Sequence, residues 1–199
     1  MAALDELSRE IQDCHECELS QGRTQAVPGE GADNPAIFFL GEAPGWHEDQ
    51  QGRPFVGSAG HFLDELIASI GYERGQVFIT NVVKCRPPGN RDPLPVEVQT
   101  CRKWLDRQFE IMKPEIIVTL GRYAMVRYFP GETIGNIHGK PKKCDGILYF
   151  PMYHPAAALH QGSLRQTIKD DMLKIPELLA QEVKQDNGGQ QRSGQLGMF

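Results

Sequence analysis

The chain has 199 residues, of which 40% are hydrophobic and 24% are charged, and its formal net charge at pH 7 is −5. These proportions are typical of one globular domain and exclude a collagen-like, low-complexity or strongly basic chain. The sequence contains neither an apolar run long enough to span a bilayer nor a secretion signal, so we expect no membrane partner and a cytoplasmic location in a cell without a nucleus.

The amino-terminal part combines a short helix with two cysteines. The apolar spacing over residues 4–11 predicts an amphipathic helix, and Cys14 and Cys17 follow it directly as a C-x2-C pair. Residues 18–35 are polar and rich in glycine and proline, which is typical of an extended loop.

The apolar run 36–40 predicts a buried strand, and the turn Gly41-Glu42-Ala43-Pro44-Gly45 follows it. Ligands of parallel sheets bind at the carboxyl ends of the strands, so this turn is a candidate for the rim of an active site. An ordinary strand-to-loop turn is the alternative. Residues 46–58 then predict a long irregular loop, in which Asp49 is a candidate for a solvated side chain.

Three further apolar runs, residues 77–83, 115–120 and 147–150, alternate with helical patterns. The sequence therefore predicts a three-layer α/β domain over residues 1–183, with a four-stranded, mainly parallel central sheet. Residues 184–199 are rich in glutamine and glycine and predict a flexible tail.

Polar residues mark the ends of three predicted strands. Glu42 follows the first strand, Asn81 lies near the end of the second, and His154 follows the fourth. Because the carboxyl ends of parallel strands meet at one edge of the sheet, these side chains predict one active site.

The odd number of cysteines, five, in a chain without an export signal argues against a disulfide framework. Cys85 follows the second predicted strand, and Cys101 lies near the start of the next helix. Together with the amino-terminal pair they form a set of four. Cys144 stands apart from this set.

Three motifs in order, residues 41–45, 81–88 and 154–157, together with the four cysteines, resemble the family 4 uracil-DNA glycosylases, the iron–sulfur type. The resemblance runs from Cys14 to Leu179. It implies a DNA repair enzyme that flips uracil out of DNA and hydrolyses its N-glycosidic bond, which leaves an abasic site and initiates base excision repair. The expected substrate is uracil-containing DNA, double-stranded and also single-stranded, and the expected enzyme is a monomer associated with the nucleoid.

The resemblance also implies roles for individual residues. His154 donates a hydrogen bond to uracil O2, Asn81 reads the Watson–Crick edge, and Phe55 stacks on the base, with core packing as the alternative for Phe55. Glu42 and Glu48 are the acids near the sugar, and their roles are not separated at this point. The uracil site that the resemblance implies consists of Gly41, Glu42, Ala43, Phe55, Asn81 and His154.

Further expectations concern DNA and metal. The DNA-binding loop is expected to consist of Pro155, Ala156, Ala157, Ala158 and Leu159. In that loop Leu159 is either a wedge that fills the opened base step or a residue that faces the core. The resemblance implies that Cys14, Cys17, Cys85 and Cys101 are the ligands of one [4Fe–4S] cluster. Zinc also accepts four thiolates, but the separation between Cys85 and Cys101 is longer than in the usual zinc pair, which favours the cluster.

Two rival functions are a related protein group that binds uracil in DNA covalently and a redox-sensing iron–sulfur module without catalysis. The first carries a histidine in the loop after the second strand, which residues 86–93 lack, and the second leaves Asn81 and His154 unexplained. The tail adds one further expectation, because its last residues are similar to a short peptide that docks on bacterial sliding clamps. The residues of this peptide are Gln195, Leu196, Met198 and Phe199.

Overall fold

The computed structural model describes residues 2–182. Its centre is a six-stranded sheet with the strand order β1-β3-β2-β4-β6-β5. The four inner strands are parallel, and the two short outer strands pair antiparallel to them. The strands are β1 (Glu30–Gly31), β2 (Ile37–Gly41), β3 (Phe78–Asn81), β4 (Ile116–Leu120), β5 (Lys142–Cys144) and β6 (Ile147–Met152).

Helices cover both faces of this sheet. The two faces can be followed on β2, where Phe38 and Leu40 join one apolar cluster while Ile37 and Phe39 join the other. Because every residue of β2 is buried, the strand is apolar throughout rather than alternating. The helices are α1 (Ala2–Gln12), α2 (Leu19–Gly22), α3 (Trp46–Gln51), α4 (Ser58–Ser69), α5 (Pro95–Met112), α6 (Arg122–Met125), α7 (Ile134–Ile137), α8 (Pro155–His160) and α9 (Leu164–Met172).

The predicted three-layer α/β architecture with a mainly parallel sheet is confirmed, but the predicted number of four strands is wrong. The two additional strands, β1 and β5, have two and three residues. Both lie at the sheet edges, and the residues of β5 are all exposed. Edge strands of this length carry no apolar run, so their sequences gave no strand signal.

The prediction of an irregular loop over residues 46–58 is also wrong in its first half, where α3 forms. The helix begins after Gly45, whose backbone N–H donates to the carboxylate of Glu48 at 3.1 Å. It ends at Gly52, which has the left-handed φ of 67° that favours glycine. The predicted loop over residues 18–35 likewise contains α2 and β1.

Within residues 2–182, no helix is long and apolar enough to cross a membrane. The carboxyl-terminal residues 183–199 lie outside the described part of the chain. The expected clamp-binding peptide falls among them, so it stays a prediction, as does the boundary between domain and tail.

Candidate active site

The carboxyl ends of three inner strands, β2, β3 and β6, meet at one cleft of about 430 Å³. Gly41 at the end of β2 and Asn81 at the end of β3 are register partners, and His154 lies two residues beyond the end of β6. These strand ends therefore lie together, as predicted. The cleft is lined by Glu42, Ala43, Pro44, Gly45, Glu48, Phe55, Ala59, Asn81, Pro87, Asn90, Arg91, His154, Ala156, Ala157 and His160.

Asn81 carries an acceptor without a partner into this cleft. The residue is 2% exposed, and its Oδ1 atom has no hydrogen-bond partner within the described residues. A buried amide oxygen without a partner costs free energy, which makes it a marker for a ligand that donates to it. A Cβ atom on Gly41 would lie 2.3 Å from this oxygen and 2.6 Å from the ring of Phe55, so a side chain there would displace Asn81 or Phe55.

Phe55 forms an aromatic wall of the cleft next to His154. The two ring centroids are 5.5 Å apart and the rings are nearly parallel, with an interplanar angle of 25°. Phe55 has a φ of 51°, which lies in the left-handed region that bulky residues rarely adopt. A Cβ at Gly60 on α4 would lie 1.9 Å from the Phe55 carbonyl oxygen, so the segment packs tightly against this helix.

The imidazole of His154 is held in one orientation and one tautomer. The backbone N–H of Ala156 donates to Nδ1 at 3.1 Å, so Nδ1 is unprotonated and the ring proton lies on Nε2. Burial lowers the pKa of His154 from 6.5 to about 4, and the nearby Glu48 only partly opposes this shift. The ring is therefore neutral near pH 7. Gly121, with a φ of 85°, leaves room for it, because a Cβ there would lie 3.0 Å from His154 Cβ.

The structure separates the two acids that the sequence left undivided. Both carboxylate oxygens of Glu48 are engaged by backbone groups: Oε2 accepts from Gly45, and Oε1 accepts from Val56 at 2.9 Å and from Gly57 at 3.0 Å. Glu48 thus joins the turn after β2 to the segment that carries Phe55.

Glu42 also lines the cleft, and within residues 2–182 its carboxylate accepts no hydrogen bond. Burial raises the pKa of Glu42, Asp92 adds to this effect, and Arg122 opposes it. A carboxyl group in a cleft whose pKa is shifted by burial and by nearby charges is a candidate for a group that acts on substrate or water. Asp49, in contrast, is 2% exposed and accepts from the backbone N–H of Thr24 at 2.9 Å, so its predicted solvated position is wrong.

The expected DNA-binding residues form α8, which starts directly after His154. Ala156 and Ala157 line the cleft, whereas Pro155 and Ala158 are buried beneath them. Leu159 is 48% exposed, which excludes the alternative that it faces the core. Leu159 is therefore exposed between Ala157 and His160, two residues that line the cleft.

The four predicted cysteine ligands lie around a second cavity. Cys14, Cys17, Cys85 and Cys101 line it together, and all four are free thiols. The Arg23 guanidinium donates to Cys85 Sγ at 3.0 Å, and the backbone N–H of Lys84 donates to Cys101 Sγ at 3.3 Å. Cys144 is exposed on β5, apart from this group.

Several residues that shape the cleft were not predicted from the sequence. The segment between Cys85 and Cys101 supplies Pro87, Asn90 and Arg91 to its rim, which links the cysteine cavity to the active site. Gly60 and Gly121 make room for Phe55 and His154. A glycine inside a predicted helix, as at Gly60, is a signal of close packing that could have been used.

The class of protein follows from a match to a known superfamily. The sequence model of the Uracil DNA glycosylase superfamily matches residues 28–175, which include every inner strand and the cleft.

Similar individual proteins identify the family within this superfamily. The chain is 50% identical to a type-4 uracil-DNA glycosylase of Sulfurisphaera tokodaii, over 89% of this chain and 86% of that protein. It is 46% identical to the type-4 enzyme of Archaeoglobus fulgidus (89% and 94% covered) and 40% identical to that of Thermotoga maritima (88% and 94%). The chain belongs to the type-4 uracil-DNA glycosylase family, which confirms the family predicted from its motifs.

Proposed function

We propose that this chain is a DNA repair glycosylase that flips uracil out of DNA and hydrolyses the bond between uracil and deoxyribose. The products are free uracil and an abasic site, which initiates base excision repair. The observation that carries this proposal is the unpartnered Asn81 Oδ1, buried in the cleft that also contains His154 and Phe55. The similarity to type-4 uracil-DNA glycosylases, at 50% and 46% identity, also supports this activity.

The cleft suits a base that has left the DNA stack. Enzymes that act on a base in DNA extrude it into a pocket, because the reacting bond is inaccessible in the duplex. The volume of about 430 Å³ is in the range of small-molecule sites. Phe55 offers its ring face to the base, and stacking of a base on an aromatic ring contributes about 1–3 kcal/mol.

Asn81 supports discrimination between uracil and cytosine. Its Oδ1 accepts from uracil N3–H, and its amide nitrogen donates to uracil O4. Cytosine has an acceptor at N3 and a donor at position 4, so the same amide would face two mismatched atoms. A buried polar group left without its partner costs about 1–3 kcal/mol, and two such groups produce strong rejection.

His154 supports departure of the base. As the N-glycosidic bond breaks, negative charge develops on uracil, and a donor aimed at O2 stabilises it. The Nε2–H of a neutral imidazole is such a donor, and the contact from Ala156 to Nδ1 keeps the proton on Nε2. Because this contact already holds the imidazole ring, the donor does not have to reorient during the reaction.

Glu42 is the acid that we assign to the sugar side of the reaction. Its carboxylate is free to orient the attacking water and to stabilise positive charge on the sugar, as carboxylates do in glycoside hydrolysis. We assign Glu48 as a positioning residue, because its oxygens already accept from three backbone N–H groups.

Isosteric amide variants test this division. Glu42→Gln is expected to fold normally and to lower the single-turnover rate by roughly 10²–10⁴-fold, the usual contribution of a positioned acid or base. Glu48→Gln is expected to lower the free energy of unfolding by about 1–3 kcal/mol, because an amide NH₂ would face a backbone N–H. Burial raises the pKa of Glu42, so the wild-type rate should begin to fall at a higher pH than for an exposed glutamate.

Rate measurements under single-turnover conditions and denaturant unfolding of both variants check this. A Glu42→Gln protein that cleaves like wild type, beside a stable Glu48→Gln protein that does not cleave, would reverse the two assignments.

For DNA binding we assign α8 to the opened duplex. Leu159 is exposed at 48% on the helix that lines the cleft, where an apolar side chain can occupy the space that the extruded nucleotide leaves. We expect the enzyme to act as a monomer on double-stranded and single-stranded DNA.

We further propose that the four cysteines hold one [4Fe–4S] cluster. Within residues 2–182, no three His, Cys, Asp or Glu side chains are grouped to hold a single metal ion. Four free thiols around one cavity suit a cluster, in which each thiolate binds a different iron. Such a cluster would act as a structural crosslink that joins the segment after α1, the segment after β3 and the first two turns of α5.

Two serine variants test the metal assignment. The wild-type protein is expected to be brown and to contain about four irons per chain after anaerobic purification. Cys85→Ser should lose iron and colour because it removes a ligand, whereas the matched control Cys144→Ser should retain both, since Cys144 lies on β5 away from the cavity. Elemental analysis and the visible absorption spectrum are the measurements. Stoichiometric zinc without iron in the wild-type protein would contradict the assignment.

An oligonucleotide with one uracil separates the proposed activity from its rivals. Excision produces a site that breaks in alkali, covalent uracil binding produces an adduct that survives detergent, and a module without catalysis produces neither. We expect alkali-labile sites at uracil and none at cytosine or thymine in matched oligonucleotides. An adduct, or intact DNA after prolonged incubation, would contradict the proposal.

A further inference from the structure

Arg74 lies outside the cleft but contacts the backbone of the segment that forms one of its walls. It begins the turn Arg74–Gln76 that precedes β3. Its Nη2 donates to the carbonyl of Pro54, and its Nη1 donates to the carbonyl of Phe55 at 3.4 Å. One cation therefore binds two successive carbonyls at the aromatic residue that faces His154.

Two acids fix this guanidinium in place. Its Nε donates to Glu30 Oε1 at 2.8 Å, and its Nη1 donates to Asp64 Oδ1 at 2.8 Å. Glu30 lies on the edge strand β1 and Asp64 lies on α4, so Arg74 joins both elements to the Phe55 segment. The Arg74 side chain is only 18% exposed, and a partly buried charge with several hydrogen bonds is held more rigidly than a surface pair.

The conformation of Phe55 needs such support. A bulky residue with a φ of 51° costs about 1–3 kcal/mol, so it persists only where neighbouring groups hold it. The residues that follow are held by Glu48, which accepts from Val56 and Gly57. Arg74 acts on the preceding side of the same segment, at the carbonyls of Pro54 and Phe55.

We propose that Arg74 is a positioning residue for uracil binding: it holds Phe55 in its left-handed conformation and thereby sets the aromatic face beside His154. The inference rests on the proposed function, because Phe55 is assigned there as the stacking partner of uracil. Small displacements of groups that orient a substrate have large effects on rate, so a contact outside the cleft can govern the reaction within it.

Arg53 provides a matched control. It pairs with the same acid as Arg74, through Nε at 2.6 Å and Nη2 at 2.8 Å to Glu30. Its side chain is 55% exposed, and its hydrogen bonds within the described residues go to Glu30 rather than to the Pro54 and Phe55 carbonyls. Loss of Arg53 therefore removes a pair with Glu30 but leaves the Phe55 segment held.

The test compares Arg74→Met with Arg53→Met. Arg74→Met keeps the aliphatic length and removes every donor, so the single-turnover excision rate should fall roughly 10- to 100-fold, and inhibition by free uracil should weaken. Arg53→Met should change either quantity by less than about twofold, because Arg53 is 55% exposed and binds Glu30 rather than the Pro54 or Phe55 carbonyl. Arg74→Lys, which retains a cation but not the forked donors, should lie between wild type and Arg74→Met.

Hydrogen exchange supplies a readout that does not depend on activity. The amides of Val56 and Gly57, which donate to Glu48, should exchange faster in Arg74→Met than in wild type or Arg53→Met, while those of β4 stay protected in all three. Equal losses in the two methionine variants, or unchanged exchange and rate in Arg74→Met, would overturn the inference. If Arg74→Met does not fold, the same comparison with Arg74→Lys decides. If wild-type protein releases no uracil, the proposed function fails, and the exchange pattern still judges the positioning role.

Discussion

Replacing His154 by alanine is expected to lower the single-turnover rate of uracil excision by roughly 10²–10³-fold, the usual loss when one preorganised donor to a developing anion is removed. The Nε2–H bond to uracil O2 strengthens as charge moves onto the leaving base, so the transition state loses more than the bound substrate does. Affinity for uncleaved uracil-containing DNA should therefore change much less than the rate.

The pH profile distinguishes a neutral imidazole from a charged one. The pKa of His154 is lowered from 6.5 to about 4, so its protonation should affect the rate only as the pH falls towards 4. Protonation would also break the contact in which Nδ1 accepts from Ala156. Quench-flow or manual quench measurements of wild type and His154→Ala across this pH range check the loss of rate and the pH profile. A His154→Ala protein as fast as wild type, or a wild-type rate that requires protonation of a histidine near pH 6.5, would contradict this role.

Asn81→Asp is expected to lower the rate of uracil excision by roughly 10³-fold or more. A site that loses a hydrogen bond to a buried polar atom of its ligand rejects that ligand strongly. The carboxylate lacks the donor for uracil O4 and introduces charge into a buried position. The carboxylate offers an acceptor to the amino group of cytosine. The ratio of uracil excision to cytosine excision should therefore fall by a larger factor than the rate of uracil excision itself.

Asn81→Ala is the matched comparison, since it removes both contacts without supplying a new acceptor. We expect it to lose uracil excision and to gain no affinity for cytosine. Single-turnover assays of oligonucleotides that contain uracil or cytosine at one position measure the ratio for each variant. An unchanged ratio in Asn81→Asp would show that another group reads the base.

The inner strands and the polar residues at their ends could be predicted from the sequence. Their apolar runs are buried on both faces, so the strand signal is continuous, and Glu42, Asn81 and His154 each interrupt or follow such a run. Parallel topology then places these side chains together without any knowledge of side-chain contacts.

The supporting contacts could not be predicted, because they join residues that are distant in the sequence. Nothing near Arg74 indicates that it binds the carbonyls of Pro54 and Phe55, twenty and nineteen residues earlier. The division between Glu42 and Glu48 likewise depends on backbone N–H groups whose positions follow only from the fold. The left-handed conformation of Phe55 is another such feature, since local propensity disfavours it.

The central claim is that the cleft between the strand ends hydrolyses uracil from DNA catalytically. The most direct measurement is chromatographic quantification of free uracil released from a duplex with one uracil, with DNA in excess over protein. Each chain should release more than one uracil, and every released uracil should be matched by one abasic site. Release of no uracil by protein that binds the DNA, or a limit of one event per chain with the protein covalently attached, would contradict it.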